Sequence, residues 1–303
     1  MSITPYTGLY INLDRSPERR IEFEEQLRTY NIFDRYVRFP AIDGTLIQSP
    51  QATVTPGEVG CFLSHYRALE HAKVRGLPVH VVEDDTLMSA HVEGFATTAV
   101  ASGHFNKFDV IFTDTYVHAN PFTLRFLKEG MDQALDGQGQ LRPDFNVQLF
   151  GLAMMELTGT SSYFVGANSI DRVLMVLKAE LDAGPRMPLD YCFRAAVDRG
   201  TLKVACTMPF LTTIRLESIV DSTISRSLDR RVAFDFALQT LLRYSFFIKR
   251  DLQDYAMPYF LQIIGPCAKR DPHQSFMAAV LSAILSGPTP ADDQRARGDR
   301  PKP

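Results

Sequence analysis

The sequence lacks the features of several protein classes. Its four cysteines are far apart and form no CxxC pair, which argues against a zinc ribbon or a disulfide framework and favours free thiols in a reducing compartment. The net charge of −3 gives no reason to expect a polyanionic partner, so nucleic-acid binding is not expected. We interpret the cysteines as core thiols rather than nucleophiles: Cys61, Cys192, Cys206 and Cys267.

Signals for export or membrane insertion are also missing. Residues 1–16 lack the basic region, apolar core and small-residue cleavage site of a signal peptide. No apolar run reaches the length of about 20 residues that a membrane span needs. Apolar residues make up 45% and charged residues 22% of the 303 residues, as in ordinary globular proteins. We therefore expect a cytoplasmic protein with one large domain, or a domain with an appended lobe.

The first 120 residues alternate short apolar runs with amphipathic segments. Strands are predicted at 8–13, 77–82 and 108–113. One helix begins at Pro17 after the cap Ser16, and another begins after Thr55, which forms a capping box with Glu58. This alternation predicts an α/β fold of Rossmann type, with a mostly parallel sheet flanked by helices.

Later segments continue the pattern and then become helical. Residues 161–167 and 201–211 read as strands, and 188–200 as a helix. Another helix is predicted at 168–181, capped by Asn168. Residues 121–160 give no clear pattern. The predicted organisation is an α/β domain over residues 1–227, followed by a helical C-terminal extension over 228–286. Residues 287–303 are predicted to form a disordered tail.

The stretch VHVVEDDTLM, residues 79–88, runs an apolar strand into Glu83, Asp84 and Asp85. Adjacent like charges repel by about 1 kcal/mol per pair at 4 Å in water, and by more where shielding is poor. In open α/β sheets, ligands bind beyond the carboxyl ends of the strands. Asn12 and Asp114 follow two other predicted strands, so we expect polar side chains to gather at this edge.

Residues i and i+2 of an extended segment share a face, so Glu83 and Asp85 could reach one Mg²⁺ or Mn²⁺ ion while Asp84 points away. Such an ion would keep open positions for substrate phosphates. A solvated turn that closes the strand is the alternative. A receiver domain is disfavoured, because its phosphoacceptor would fall in residues 128–137, where no strand is predicted.

Four segments occur in the order and approximate spacing of a known family: YINLDRSPERR (10–20), AIDGT (41–45), GEVGCFLSHYRALEHA (57–72) and VVEDD (81–85). The sequence resembles glycosyltransferase family 25, the lipooligosaccharide-type glycosyltransferases, over residues 8–225. Weaker similarity to later blocks of the family lies in SSYFVGANSIDRVL (161–174), MPLDYCF (187–193) and DSTI (221–224).

The resemblance implies a GT-A-type fold, a nucleotide-sugar donor and inversion at the transferred sugar. It identifies the acid cluster as the counterpart of the DxD motif, with Glu83 in place of the first Asp. Glu83 and Asp85 would then bind Mn²⁺ or Mg²⁺ at the donor diphosphate, and Asp84 would lie in the donor site.

Two acids are candidates for the base that accepts the acceptor's hydroxyl proton. Asp190 is the first, because it lies at a helix start within a family-like block; the alternative is that it serves only as a helix N-cap. Asp114, at a strand end, is the second.

The remaining candidates are donor-site residues: Asn12, Asp14, Arg20, Asp43, Gly44, Ser64 and His65. Several of them have a structural alternative. Arg20 could be a solvated charge, with Arg15 and Arg19 competing for its role. The Asp-Gly pair is also typical of a generic turn, and a histidine in mid-helix is often a hydrogen-bonded core residue.

We interpret the sequence as that of a metal-dependent glycosyltransferase that moves galactose or glucose from a UDP-sugar to a saccharide acceptor of a surface glycan such as lipopolysaccharide. A catalytically inactive carbohydrate-binding or interaction module is the alternative. The acceptor could be lipid-linked. Residues 230–250 could then lie on the inner face of the membrane, or pack against the α/β domain or a second copy of the chain.

Overall fold

A computed structural model describes most of the first 215 residues and a short part of the C-terminal region. The described residues are 6–47, 52–117, 121–136, 141–143, 145, 147–152, 158–215, 239 and 242–248. The predicted tail, most of the predicted extension and the DSTI block lie outside them. None of the described helices combines the length and the apolar character needed to cross a membrane.

Strands and helices alternate along the chain. The strands are β1 (Thr7–Asn12), β2 (Tyr36–Pro40), β3 (Val79–Glu83), β4 (Thr86–Met88), β5 (Val110–Phe112), β6 (Gln148–Gly151), β7 (Ser162–Val165), β8 (Val204–Met208) and β9 (Thr212–Ile214). The helices are α1 (Pro17–Thr29), α2 (Pro56–Lys73), α3 (Val92–Ala101), α4 (His104–Lys107), α5 (Pro121–Ala134), α6 (Ile170–Asp182) and α7 (Leu189–Asp198).

Seven strands form the central sheet in the order β2-β1-β3-β7-β5-β8-β6, and β4 pairs with β9 separately. Strands β2, β1, β3, β5 and β8 run in one direction, whereas β7 and β6 run antiparallel to their neighbours. The predicted α/β architecture with a mostly parallel sheet is confirmed.

The interior strands of the sheet are buried on both faces, which explains why they read as nearly continuous apolar runs. Leu9 and Ile11 of β1 face a core built with α2, α6 and α7. Tyr10, between them, faces a second core built with α1 and α3. Side chains alternate across a strand, so a single strand contributes to both cores and fixes the two helix layers against each other.

Several local predictions differ from the structure. Asn168 does not cap α6, because Ala167–Ser169 forms a short 3-10 helix and Ser169 occupies the N-cap position. Ser16 is at the N-cap of α1, but its side chain makes no capping hydrogen bond. Strand β8, which lies within the predicted strand 201–211, is interior, since β6 from the unassigned region 121–160 pairs along its outer edge.

Part of the C-terminal region packs against the α/β core. Leu242, Phe246 and Phe247 are buried within the α2-side core. The Phe210 N–H donates to the Phe246 carbonyl oxygen at 2.8 Å. These residues therefore extend the domain beyond β9, while the boundary predicted at 227/228 stays a prediction.

The capping box that begins α2 is confirmed. The backbone N–H of Thr55 donates to Glu58 Oε2 at 2.7 Å, and the Glu58 N–H donates to Thr55 Oγ1 at 3.3 Å. Two donors that have no partner within the helix are satisfied in this way. The start of α2 is thus fixed, and α2 is the helix that faces the acid cluster.

The loop after β2 lies directly on the first turns of α2. A Cβ atom on Gly44 would stand 1.6 Å from the Pro56 carbonyl oxygen, and a Cβ on Gly60 would stand 2.6 Å from the Gly44 nitrogen. Ser64 Oγ accepts from the Ile42 N–H at 2.8 Å and donates to the Gly60 carbonyl oxygen at 2.6 Å. The two backbones approach so closely that only glycine fits at both positions.

We expect Gly44→Ala to destabilise the protein by about 2–3 kcal/mol, because the methyl group forces the loop away from α2. Gly94→Ala is the matched control: Gly94 lies in α3 with nothing within 4 Å of its added Cβ, so alanine should stabilise that helix by up to about 1 kcal/mol. Urea unfolding of both variants measures the difference. Equal effects of the two substitutions would contradict the close packing of the loop on α2.

Candidate functional site

Polar side chains gather at the carboxyl ends of β1, β3 and β5. Asn12 and Glu83 end their strands, and Asp114 follows β5 by two residues. Ser161, just before β7, joins the ends of β3 and β5: its carbonyl oxygen accepts from the Glu83 N–H at 2.8 Å, and its Oγ donates to Asp114 Oδ1 at 3.0 Å. The edge predicted to carry a ligand site is therefore a single hydrogen-bonded region.

The three consecutive acids do not continue an extended strand. Asp84 and Asp85 form a turn between β3 and β4, and the Asp84 N–H donates to the Ile11 carbonyl oxygen at 3.1 Å. The premise of an extended i, i+2 pair was therefore wrong, because the chain turns where the pairing with β1 ends. The turn nevertheless separates the acids, since Glu83 faces α2 whereas Asp84 faces β1 and α1.

Asp84 is buried and held on both of its oxygens. Asn12 Nδ2 donates to Oδ2 at 2.6 Å, and Arg19 Nη1 lies 3.4 Å from Oδ1. Burial raises the pKa of Asp84, although Asn12 and Arg19 oppose the rise. Asn12 is itself fixed, because its Oδ1 accepts from Arg38 Nε at 2.9 Å. The segment Glu83–Asp85, with its turn at Asp84 and Asp85, is called the acid turn below. Asn12 holds the acid turn at the end of β1 through its hydrogen bond to Asp84.

Asp85 has the least compensated charge of the three acids. Burial, and then the charges of Glu83 and Asp84, raise its pKa to about 7. Arg19 Nη1 is 3.9 Å from its Oδ2, and within the described part of the chain its buried Oδ1 has no hydrogen-bond partner. A carboxylate in this state favours an added cation.

Glu83 approaches the inner face of α2. Its Oε1 lies 3.4 Å from His65 Nε2, and a 3.0 Å hydrogen bond joins His65 Nδ1 to the Tyr163 hydroxyl. Burial and the charges of Glu83, Asp190 and Asp85 hold the pKa of the nearby Cys61 thiol well above its usual range. The charges of Glu83 and Asp85 therefore both act on the Cys61 thiol of α2, and their sharing of one metal ion stays a prediction.

Asp114 is fully enclosed. Ser161 Oγ contacts both of its oxygens, and Arg243 from the C-terminal helical segment forms an ion pair with Oδ2. Burial raises the pKa of Asp114, while Arg243 and Ser161 lower it. Both oxygens are thus engaged within the protein.

Asp190 is the second residue of α7, whose N-cap is Pro188, so its predicted alternative role as the N-cap residue was wrong. Its Oδ2 accepts from the Gly159 N–H at 2.9 Å, and its Oδ1 from the Tyr191 N–H at 2.9 Å. Burial raises its pKa against these hydrogen bonds. A fixed carboxylate with a raised pKa suits a general base.

Two of the predicted donor-site residues, Asp14 and Arg20, are exposed, whereas Asn12 and Asp84 are buried. Asp14 is exposed and pairs with Arg38 at 2.5 Å. Arg20 pairs with Glu24 at 2.8 Å on the solvent side of α1. The arginine of α1 that contacts the acid cluster is Arg19, which the sequence offered as a competitor.

The predicted turn residues support the loop against α2. Asp43 accepts from the Thr45 N–H at 3.0 Å and forms an ion pair with Arg15. Gly44 packs against the first turns of α2, and Ser64, which belongs to α2, accepts a hydrogen bond from the Ile42 N–H of the loop. These residues shape the wall of the site, and their predicted contact with a donor stays a prediction.

Sequence reasoning missed three residues of the site. Cys61 stands four residues before His65 on α2, a spacing that places both on one helix face, and this signal was available. Ser161 and Arg243 carry no such signal, because each meets Asp114 only through folding, across 47 and 129 residues of chain.

Comparison with known families agrees with this arrangement. The family model described as "Glycosyltransferase family 25 (LPS biosynthesis protein)" matches residues 7–193, more than half of the 303-residue chain. The chain belongs to glycosyltransferase family 25. The match runs from β1 into α7 and so includes the acid turn and Asp190, whereas Arg243 lies beyond the part that matches the family.

Two curated relatives share 36% identity with this family 25 chain over 103 residues, covering 28% of the chain. They are "Probable inactive glycosyltransferase 25 family member 3" of Bos taurus and "Inactive glycosyltransferase 25 family member 3" of Homo sapiens. The matched stretch spans 17% of the length of each relative.

We expect Arg243→Met to destabilise the protein by about 3–5 kcal/mol, because it leaves the buried Asp114 carboxylate without its cation. Adding Asp114→Asn should recover part of the loss, since the orphaned charge is then removed. Urea unfolding of the wild type, both single variants and the double variant measures the coupling.

Arg125→Met is the control for removing an arginine from an ion pair. Arg125 pairs with Glu129 on an exposed helix face, so its loss should change the free energy of unfolding by less than about 0.5 kcal/mol. A cost for Arg243→Met no greater than that of Arg125→Met would show that the buried pair does not hold the C-terminal segment.

Proposed function

We propose that this family 25 chain is a metal-dependent, inverting glycosyltransferase of the GT-A type. It transfers galactose or glucose from a UDP-sugar to a saccharide acceptor of a surface glycan such as lipopolysaccharide or lipooligosaccharide. The observation that carries the proposal is Asp85, a carboxylate with an unpartnered buried oxygen among the described residues and a pKa raised to about 7 by burial and by its acidic neighbours.

The residues of the acid turn fit a divalent cation. Carboxylate oxygens are the hard donors that Mg²⁺ and Mn²⁺ prefer, and Glu83 and Asp85 would hold the ion. When bound, it supplies positive charge against the negative charge that develops on the diphosphate leaving group. The mutual repulsion of Glu83 and Asp85 supports this assignment, because a shared cation removes it.

Neighbouring side chains orient the turn and the donor. Asn12 holds Asp84 at 2.6 Å, which fixes the direction of the two residues on either side of it. Arg19, about one-third exposed, lies between Asp84 and Asp85 and can offer its guanidinium to phosphate oxygens at the rim. Donor binding to these residues would hold the anomeric carbon in a fixed position beside the acids.

Asp190 is the proposed base. Hydrogen bonds from the Gly159 and Tyr191 backbones hold its carboxylate in one orientation, and burial makes it more basic than an ordinary aspartate. It takes the proton of the acceptor hydroxyl as that oxygen attacks the anomeric carbon from the face opposite the leaving group. Asp114 is the weaker candidate, because Arg243 and Ser161 occupy its oxygens.

The cellular location and the acceptor are proposed from the expected use of a UDP-sugar donor. We place the enzyme in the cytoplasm, where UDP-sugars are made, with an acceptor that is a saccharide or a lipid-linked saccharide. Peripheral contact with the inner face of the membrane and self-association are further proposals. The buried residues within 242–248 contact the core, so such contacts would use other parts of the C-terminal region.

A catalytically inactive carbohydrate-binding or interaction module is the second candidate. The names of both relatives favour it, since each describes an inactive family member. The glutamate at the first position of the acid motif also departs from the DxD pattern. An inactive module would bind glycan without requiring a metal ion.

Calorimetric titration with UDP tests the choice between the two. We expect the wild type to bind UDP only in the presence of Mn²⁺, and Asp85→Asn to lose at least about tenfold in affinity, which is about 1.4 kcal/mol. Asp182→Asn is the control, because Asp182 is an exposed acid paired with Lys178 at the end of α6. UDP binding that is indifferent to Mn²⁺, or glycan binding without UDP binding, would favour the inactive module.

Asp190→Asn should lower the rate of sugar transfer by about a hundredfold or more, because the amide cannot accept the hydroxyl proton. Its affinity for UDP with Mn²⁺ should stay at the wild-type value, since the substitution spares the acid turn. Hydrolysis of a panel of nucleotide sugars identifies the donor for the assay. Near-normal transfer by a folded, UDP-binding variant would remove Asp190 as the base.

A further inference from the structure

Three potential metal ligands of different chemistry meet between α2 and the end of β3. Cys61 and His65 are four residues apart on α2 and project from the same face. Glu83 faces them from β3. The Cys61 sulfur, a His65 ring nitrogen and a Glu83 carboxylate oxygen all lie within 4.8 Å of one another.

His65 gives an independent sign of a ligand. The residue is 1% exposed, and its Nδ1 is engaged with the Tyr163 hydroxyl at 3.0 Å. Its Nε2 is buried and has no hydrogen-bond partner among the described residues, since Glu83 Oε1 lies at 3.4 Å in a geometry that makes no hydrogen bond. Metal-binding histidines commonly have one ring nitrogen fixed in this way while the other binds the ion.

The donor set selects a different ion from the one proposed for the acid turn. Thiolate, imidazole and carboxylate together are typical of Zn²⁺, which accepts sulfur, nitrogen and oxygen ligands. Mg²⁺ and Mn²⁺ prefer oxygen alone. Ligand atoms around a tetrahedral zinc ion stand about 3.5 Å apart. The His65 Nε2–Glu83 Oε1 distance of 3.4 Å already meets this spacing, and no pair of the three is farther apart than 4.8 Å. Glu83, which is partly exposed at the end of its strand, has the freedom to adjust to the ion.

We infer that Cys61, His65 and Glu83 form a binding site for Zn²⁺ or a similar borderline-soft divalent ion, with at least one coordination position open. On binding, the Cys61 thiol releases its proton to solvent and coordinates as thiolate. Because Glu83 also belongs to the proposed Mn²⁺ pair, zinc at this site takes Glu83 away from Asp85. Zinc would then compete with Mn²⁺-dependent binding of UDP; this consequence rests on the proposed function, whereas the site itself does not.

Titration of the reduced full-length chain with Co²⁺, a coloured substitute for Zn²⁺, tests the site. We expect a near-ultraviolet thiolate-to-cobalt charge-transfer band that disappears when Zn²⁺ is added. Cys61→Ser should abolish the band, and His65→Gln should weaken Co²⁺ binding by at least about tenfold. Cys192→Ser is the control, because Cys192 is a buried thiol of α7 and its loss should leave the band unchanged.

A second measurement needs no variant. Zn²⁺ should slow alkylation of Cys61 in the wild type, as followed by peptide mass spectrometry, without changing the alkylation of Cys192. Absence of a charge-transfer band in the wild type would overturn the site, and so would a band that persists in Cys61→Ser.

The outcomes also separate this site from the proposed function. Cys61→Ser should lose the cobalt band. Asp85→Asn should keep the band yet lose Mn²⁺-dependent UDP binding, because Asp85 is not one of the three ligands of this site. A chain that shows the cobalt band but never binds UDP would keep the zinc site and refute the glycosyltransferase.

Discussion

Three neighbouring carboxylates, of which Asp84 is buried and Glu83 and Asp85 are partly buried, are the constraint around which this edge of the protein is organised. In the fold the three acids face different neighbours, which limits their mutual repulsion. Asp84 is held by Asn12 at 2.6 Å, and Glu83 approaches His65 at 3.4 Å. Asp85 remains with a pKa near 7, because burial and its two neighbours both disfavour its charge. That residual imbalance is the reason for the cation that we propose at the turn.

The surrounding structure keeps this arrangement rigid. The capping box fixes the start of α2, and the Gly44–Gly60 contact presses the loop after β2 against it. On the other side of the sheet edge, Arg243 enters from the C-terminal segment and pairs with Asp114. Buried ion pairs are costly to break, so this contact couples the C-terminal segment to the site although it lies outside the part that matches the family.

Membership of family 25 favours a glycosyltransferase, whereas the names of the two relatives favour an inactive protein. The family model covers the acid turn and Asp190, whereas both relatives are described as inactive. The two candidate functions of this chain differ in whether its acids bind a metal ion and a donor. Cys61 and His65 add a third element, since a thiol and an imidazole beside Glu83 give the same acid a second class of metal partner.

The sequence by itself determined the alternation of strands and helices, the capping box of α2 and the place of the acids at a strand end, because local periodicity and capping depend on nearby residues. The order of the motifs also identified the family. Only the tertiary structure decided the turn at Asp84, the antiparallel insertion of β7, the choice of Arg19 over Arg20, and the meetings of Asp114 with Arg243 and of Cys61 with Glu83. Those features depend on contacts between distant segments, which no local pattern encodes.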